Sequence, residues 1–287
     1  MNKIINKITN LISVVDQLYS DIRKDLRNKN QVNKHNFVWV VGIPKSGTTL
    51  IENILNILSY VDVKSSLLRS FSNKDLEFPH DISKEMVLSV PENKLSYLKT
   101  HTHFDKKFID LISLRKTKVI VTIRDLRDVM LSRYYHIMSD KNHWQFDTIS
   151  KLDFKNGFIE SFECKKTTHP IKNFNNIHYY YYWIKNWKQN YSKYKFLLLN
   201  YEEYLFDKEN YISKIINYLE YDKDKIMQVS KSLEIKNKSL KKISFDQRLK
   251  LYGSKKSTLR EGNADNWKKL FDDEISERFR AVLPGPL

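Results

Sequence analysis

The sequence predicts an α/β fold, with a central parallel β-sheet flanked by helices. Three apolar runs, Phe37–Val41, Lys118–Ile123 and Phe196–Leu199, have the length and continuity of strands that are buried on both faces. Each run is followed by a segment compatible with a helix, and strands that alternate with helices form parallel sheets. Between the first strand and a helix predicted over Leu50–Leu58 lies a glycine-containing loop, Gly42–Thr49.

The chain of 287 residues, with 41% hydrophobic residues, is long enough to bury a substantial core, and we expect a single domain over 1–287. Apolar residues recur at helical spacing between Ile4 and Leu26, which predicts an N-terminal amphipathic helix in an extension over 1–34. That helix is expected to pack on the domain, with contact to a partner or a membrane as the alternative. The core of the domain is expected over 37–268, the range covered by the family resemblance described below.

The expected location is the cytoplasm. No stretch approaches the roughly 20 apolar residues needed to span a bilayer, and the N-terminal segment is too polar for a signal-peptide core. A single cysteine, Cys164, excludes an internal disulfide framework and fits a reducing compartment.

The net charge of +16 and a pI near 9.5 attract anions. This positive charge is compatible with several anionic partners: nucleic acid, an anionic membrane, or a sulfated or phosphorylated ligand. Much of the excess is scattered through Lys/Asn-rich stretches, so the charge alone selects no ligand.

The loop Gly42-Ile43-Pro44-Lys45-Ser46-Gly47-Thr48-Thr49 joins a strand to a helix, where backbone N–H groups and the helix dipole bind phosphate. Its length matches a nucleotide P-loop, but its order does not. The P-loop lysine follows the second glycine, whereas Thr48 holds that place here and Lys45 lies inside the loop. A nucleotide-dependent kinase, which needs that lysine and an acidic residue for magnesium, is therefore the weaker alternative.

The Pro44–Thr49 string resembles the 5′-phosphosulfate loop of the cytosolic-type sulfotransferases, a family with a P-loop-like α/β fold that uses 3′-phosphoadenosine 5′-phosphosulfate (PAPS). The resemblance implies that Lys45 contacts the leaving phosphate and the sulfuryl oxygens. It assigns the remaining donors of the loop to Ser46, Gly47, Thr48 and Thr49. Because sulfuryl transfer spreads less negative charge than phosphoryl transfer, a lysine and backbone amides suffice, and no metal is expected.

A donor with a 3′-phosphate needs a second cationic site. Arg124 ends the second predicted strand, and Ser132 follows in a segment that is predicted to be helical. Their separation resembles the 3′-phosphate motif of the same family. Taken alone, Arg124 is better explained by an ion pair with Asp125 or Asp128, but together with the Pro44–Thr49 loop the 3′-phosphate role is favoured.

Two further segments resemble nucleotide-binding parts of the family. Arg260 and Gly262, which precede Trp267, match a segment that closes over the nucleotide, although Glu261 replaces the usual lysine. Tyr201 follows the third predicted strand and matches a tyrosine that lies by the adenine. The resemblance implies that these residues contribute to PAPS binding.

Histidine is suited to take a proton from an acceptor because its ordinary pKa of about 6.5 lies near working pH. Lys99-Thr100-His101 resembles the catalytic motif of the family. The resemblance makes His101 the general base and lets Lys99 neutralise charge at the transferring group. His103 is the alternative base.

The function predicted from this resemblance is sulfuryl transfer from PAPS to a hydroxyl or amine of a small-molecule acceptor. A non-catalytic basic module that binds nucleic acid or another polyanion is the alternative from a different class, but it leaves the three ordered motifs unexplained. No nucleic-acid partner is expected. The segments Tyr60–Leu95 and Lys141–Asn175, where the family builds its acceptor pocket, do not identify the acceptor.

Overall fold

The computed structural model describes residues 36–71, 82–163, 176–241 and 265–285. In this part of the chain, five parallel strands form one sheet in the order β2-β3-β1-β4-β5. The strands are β1 (Phe37–Gly42), β2 (Val61–Asp62), β3 (Ser96–Thr100), β4 (Thr117–Ile123) and β5 (Leu197–Asn200). The α/β class with a central parallel sheet is confirmed. The predicted N-terminal helix lies outside the described residues.

Helices follow the strands and cover both faces of the sheet. They are α1 (Thr48–Ile57), α2 (Lys64–Phe71), α3 (Lys84–Ser89), α4 (Lys106–Ser113), α5 (Leu126–Ser139), α6 (Phe146–Ile149), α7 (Phe154–Glu163), α8 (Asn176–Asn190), α9 (Tyr201–Phe206), α10 (Lys208–Tyr218), α11 (Asp224–Lys241) and α12 (Asp273–Val282), with a 3₁₀ helix at Asn266–Lys269.

Every residue of β1 is buried, and successive side chains enter two different cores. Phe37, Trp39 and Val41 face the core formed with α4, α5, α7 and α8, whereas Val38 and Val40 face the core formed with α1, α10 and α11. A strand covered by helices on both faces needs apolar residues at every position. This requirement explains why β1 was recognisable from an uninterrupted apolar run and β4, which is buried from Val119 to Ile123, from a largely apolar one.

The remaining differences from expectation are local. β5 begins at Leu197 rather than at Phe196, because Phe196 still belongs to the turn after α8, where its N–H donates to the Tyr191 carbonyl. The segment Tyr60–Leu95, in which no strand was predicted, contains α2, α3 and the short edge strand β2. In α8, Trp183 and Trp187 are fully buried in the core.

Within the described residues, no helix is long and apolar enough to cross a membrane.

Candidate active site

The strand order brings the predicted catalytic and binding residues to one edge of the sheet. Since β1 lies between β3 and β4, the carboxyl ends of these three strands are adjacent. Val41 pairs with Thr100 in the β1–β3 register, so His101, the next residue, lies beside Gly42. On the other side Gly42 pairs with Thr122 of β4. The loop after β1 is therefore flanked by the residues that follow β3 and β4.

The loop is held in shape by its own hydroxyls and by β4. The buried Ser46 Oγ donates to the Ile43 carbonyl at 2.8 Å, and Thr122 Oγ1 donates to the Ser46 carbonyl at 2.8 Å. A Cβ at Gly42 would lie 2.7 Å from both Ser46 Oγ and the Thr122 methyl group. The close approach of β1, the loop and β4 thus depends on glycine at this position.

Gly47 adopts φ 100° and ψ 11°, a left-handed conformation that glycine reaches without steric cost, and α1 begins at the next residue. The glycine offers no side chain to cap the first N–H groups of α1. Such a helix start is suited to an anion. Thr48 is buried at this turn and Thr49 is exposed beside it.

Lys45 is partly buried and also has a positive φ, of 73°. Burial, with the nearby charge of Lys99, lowers the pKa of Lys45 to about 8. Lys99 in turn lies 3.6 Å from the carboxylate of Glu52 on α1, and burial raises the pKa of Glu52 while Lys99 opposes that rise. Two lysines and one carboxylate therefore share the space beside the loop, and a dianionic ligand would favour the charged form of Lys45.

Arg124 connects the loop to α5. Its Nη1 donates to the Lys45 carbonyl at 3.3 Å, its Nη2 lies 3.8 Å from Asp128, and its guanidinium lies 4.8 Å from the centre of the Tyr201 ring. Asp125, the other carboxylate considered as its partner, pairs with Arg127 instead. The structure brings together Lys45, Arg124 and Tyr201.

Ser132, predicted to share the 3′-phosphate with Arg124, is half-buried in α5. Tyr201 begins α9 directly after β5, where its ring packs against Gly47: a Cβ built on Gly47 would lie 2.5 Å from Tyr201 Cδ2. Tyr201 thus contacts both ends of the predicted nucleotide site.

The two histidines after β3 have different neighbours. His101 is buried, and its Nδ1 donates a hydrogen bond to the carbonyl oxygen of Gly42. This donation fixes the neutral imidazole in the tautomer whose Nε2 accepts protons. His103 packs edge-on against Tyr179 of α8, with ring centroids 4.7 Å apart. The His101 side chain is therefore hydrogen-bonded to the phosphate loop, whereas the His103 ring packs on α8.

Buried hydrogen bonds fix the backbone on either side of His101. Thr100 Oγ1 accepts from Trp39 Nε1 at 2.9 Å and from Thr102 Oγ1 at 2.7 Å. The Thr102 carbonyl accepts from the indole nitrogens of Trp183, at 2.9 Å, and Trp187, at 3.2 Å. The imidazole is consequently attached to a segment with few conformational alternatives.

Arg260 and Gly262 lie outside the described residues. Trp267 is within them, and the guanidinium of Arg127 lies 3.7 Å from the centre of its ring. Among the described residues, no group of three or more His, Cys, Asp or Glu side chains is arranged to hold a metal ion.

Two residues of this region, Glu52 and Asp128, were not predicted as functional from the sequence. Glu52 reaches Lys99 through the packing of α1 on β3, a relationship with no local pattern. For Asp128, the sequence suggested only an ion pair with Arg124, which lies before the start of α5.

The fold and the loop define a parallel α/β protein with a P-loop-like loop at the carboxyl ends of its central strands. Comparison with known families makes the class specific. The chain belongs to the sulfotransferase family, whose sulfotransferase domain matches residues 35–284.

Two curated relatives match nearly the whole chain. Sulfotransferase 1E1 of Rattus norvegicus is 22% identical over 275 residues, which cover 93% of this chain and 88% of the relative. The 3-beta-hydroxysteroid sulfotransferase of Cavia porcellus is 26% identical over 270 residues, which cover 92% and 80%. Both similarities agree with the cytosolic-type family that the motifs indicated.

Solved structures show the same fold. Retinol dehydratase in complex with androsterone and inactive cofactor PAP is 18% identical, with a TM-score of 0.55 over 92% of this chain and 83% of that one. A mouse sulfotransferase complexed with PAP is 14% identical, with a TM-score of 0.56 over 91% and 87%. The predicted P-loop-like sulfotransferase fold is confirmed.

Proposed function

We propose that this protein transfers a sulfuryl group from PAPS to a hydroxyl or amine of a small-molecule acceptor and releases adenosine 3′,5′-bisphosphate (PAP). The observation that carries the proposal is the hydrogen bond from His101 to Gly42, which places a potential base on the phosphate loop itself. PAP in the structural neighbours supports the same donor.

The residues around the loop fit a ligand with two separate anionic groups. Lys45, Ser46, Gly47, Thr48 and Thr49 form the site for the 5′-phosphosulfate, and Arg124 with Ser132 forms the site for the 3′-phosphate. Tyr201 lies between the two because its ring contacts Gly47 and the Arg124 guanidinium. Arg260 and Gly262 are added to the proposed PAPS-binding residues on the basis of the sequence resemblance alone.

The donor supplies the sulfuryl group. His101 Nε2 accepts the proton of the attacking hydroxyl or amine, since Nδ1 is committed to the Gly42 carbonyl. Lys45, in its charged form, stabilises the negative charge that develops on the leaving phosphate, and Lys99 adds a second positive charge beside it. Glu52 holds Lys99 in place through their ion pair.

The acceptor is proposed to be a small molecule, as androsterone and retinol are in complexes of the structural neighbour retinol dehydratase. We infer a single catalytic domain that acts in the cytoplasm, in line with the composition and the single cysteine of the chain. These assignments rest on the family and on the sequence.

The first test is the thermal shift of the purified protein with PAP, with ATP plus magnesium, and with AMP. A ligand that binds only the folded state at a hundred times its Kd stabilises by about 2.7 kcal/mol. In a chain of this size that corresponds to a rise in Tm on the order of 5 °C. We expect this rise with PAP and a much smaller one with the other two ligands.

A selective shift with PAP is followed by a panel of phenols, alcohols, amines and sugars with PAPS. A shift only with ATP and magnesium would indicate a kinase instead. No shift with any nucleotide, together with salt-sensitive binding of nucleic acid, would indicate the basic binding module.

A further inference from the structure

The first turn of α5 is joined to the turn that begins the 3₁₀ helix near the end of the chain. The carboxylate of Asp128 accepts a hydrogen bond from the backbone N–H of Asp265 at 2.9 Å and a second from that of Trp267 at 3.4 Å. These partners are 137 and 139 positions away in the sequence. Asp128 is only 2% exposed, so water does not compete for these bonds.

The same carboxylate faces Arg124. Asp128 Oδ2, which accepts from the Asp265 N–H, also lies 3.8 Å from Arg124 Nη2. The opposite nitrogen of the guanidinium, Nη1, donates to the Lys45 carbonyl. Arg124 is thus held between the phosphate loop and Asp128, with its plane over the Tyr201 ring.

Burying the ionised carboxylate of Asp128 lowers the stability of the fold unless its charge is compensated. A buried carboxylate loses its hydration, and burial raises the pKa of Asp128. Arg124 and the two backbone N–H groups act in the opposite direction and favour the ionised form. The ionised carboxylate is therefore matched to two backbone donors and to the positive charge of Arg124, and its removal would leave the guanidinium without that charge partner and two N–H groups without their acceptor.

A second contact reinforces the same junction. The guanidinium of Arg127, one helical position before Asp128, stacks on the Trp267 ring at 3.7 Å and pairs with Asp125. Asp128 and Arg127 of α5 therefore both contact the Asp265–Trp267 turn. Asp128 accepts hydrogen bonds from its backbone, and Arg127 packs on the Trp267 ring. This turn fixes where Asp128 can lie relative to Arg124.

We propose that Asp128 is a positioning residue for nucleotide binding: it aligns the Arg124 guanidinium for the 3′-phosphate and ties that alignment to the Asp265–Trp267 turn. Asp128 does not contact the nucleotide in this proposal and acts only through Arg124. The inference rests on the proposed function, in which Arg124 binds a 3′-phosphate. It also explains why a carboxylate lies next to the proposed anion site, although its negative charge would repel an anionic ligand.

The test compares two nucleotides that differ in the 3′-phosphate. Affinities for PAP and for AMP are measured by calorimetry with the full chain and with Asp128→Asn. The amide keeps the size of the side chain but replaces one acceptor oxygen by a donor group and removes the charge. Because hydrogen bonds to charged groups are the strong ones, we expect PAP affinity to fall about tenfold or more, while AMP affinity changes little.

Asp272→Asn is the matched control. Asp272 also accepts a backbone N–H, from Ile275 at 2.8 Å, and pairs with a basic residue, Lys155, but it caps α12 and has no contact with the loop. This variant is expected to bind PAP as the wild type does. In the Arg124→Ala background, adding Asp128→Asn is expected to cause little further loss of PAP affinity, because the residue through which Asp128 acts is already missing.

If Asp128→Asn does not fold, Asp128→Glu is the second variant. It keeps the charge but moves it by one methylene within a fully packed site, and the same selective loss of PAP affinity is expected. A folded variant at position 128 that binds PAP like the wild type overturns the proposal, as does an equal loss of PAP and AMP affinity. If the wild type itself does not bind PAP, it is the proposed function that fails.

Discussion

The imidazole of His101 is hydrogen-bonded to the backbone of the phosphate loop, because its Nδ1 donates to the Gly42 carbonyl. The base and the phosphate loop are therefore positioned by one contact between the ends of β3 and β1. This contact leaves the orientation of Nε2 dependent on Gly42, which itself tolerates no Cβ.

His101→Ala is expected to lower turnover with PAPS by a factor of about 10² to 10⁴, the usual contribution of a general base. The affinity for PAP is expected to stay close to that of the wild type, because the contacts of Arg124 with the loop do not involve the imidazole. Turnover is measured with the best acceptor of the panel, and affinity by calorimetry.

His103→Ala is the partner experiment for His101. The His103 ring lies against Tyr179 rather than on the loop, so this variant is expected to keep most of its turnover. A large loss in His103→Ala together with retained turnover in His101→Ala would assign the base to the other histidine.

Arg124→Ala is expected to weaken PAP binding by about 1.5 to 3 kcal/mol, the range for a hydrogen bond to a charged group. AMP binding should change much less, since AMP lacks the 3′-phosphate. Calorimetry with both ligands gives the comparison. Equal affinities of wild type and variant for PAP would show that the 3′-phosphate is bound elsewhere.

The pKa of Lys45 makes nucleotide binding depend on pH. Its value of about 8 lies below the ordinary 10.5 of lysine, because burial and Lys99 disfavour the charged form. Phosphate groups, with a second pKa near 6, are already fully ionised above about pH 7. We therefore expect PAP affinity to be constant around pH 7 and to fall above pH 8 as Lys45 loses its proton.

The stability of the ligand-free protein should respond to Lys45 in the opposite sense. A folded-state pKa below the unfolded one means that the unfolded chain binds more protons between about pH 8 and 10.5, so this lysine contributes stability that increases over that window.

Lys45→Arg is the control for the pH dependence of PAP affinity. The arginine keeps its charge throughout, so the PAP affinity of this variant should be flat from pH 7 to 9. A wild type with the same flat profile would contradict the role given to Lys45.

Gly47→Ala is expected to destabilise the protein and to abolish PAP binding. The left-handed backbone costs a residue with a Cβ about 1–2 kcal/mol, and the new methyl group would lie 2.5 Å from Tyr201 Cδ2. A fall in Tm of about 4 °C or more is the expected result for a chain of this size. Gly157→Ala in α7 is the control for a tight buried glycine away from the loop: its Cβ would lie 3.2 Å from Ile149 Cγ2 and 3.3 Å from the Ile149 carbonyl, and the position is not in the left-handed region. It should leave PAP affinity unchanged.

The parts of the fold that were predictable are those whose sequence is dictated by burial on both faces. β1 and β4 are buried along most of their length and are therefore largely apolar, whereas the edge strand β5, in which only Leu199 is buried, was recognisable from its consecutive leucines. β3 was less clear because it carries Lys99 and Thr100, and these polar residues are explained only by partners from other elements, Glu52 and Trp39. The two-residue strand β2 is too short to produce any pattern.

The candidate site divides in the same way. The loop, His101 and Arg124 follow strand ends, and a parallel sheet brings strand ends together, so their proximity could be anticipated. The contacts of Asp128 with Asp265 and Trp267 could not, because nothing local marks a backbone N–H more than a hundred residues away as a partner. Tyr201 was expected by an adenine, and its packing on Gly47 emerges only from the β4–β5 register.

The two edge strands of the described sheet, β2 and β5, are also its shortest, with two and four residues. Unpaired edge groups are where one molecule adds strands to another and aggregation starts, and short edges offer few such groups. Asp62 at the end of β2 further uses its carboxylate to accept the Lys64 N–H, which turns the chain away from the edge. The central strand β1, which leads into the phosphate loop, is paired on both sides over Phe37–Val41, so it offers a second molecule no free backbone groups with which to pair.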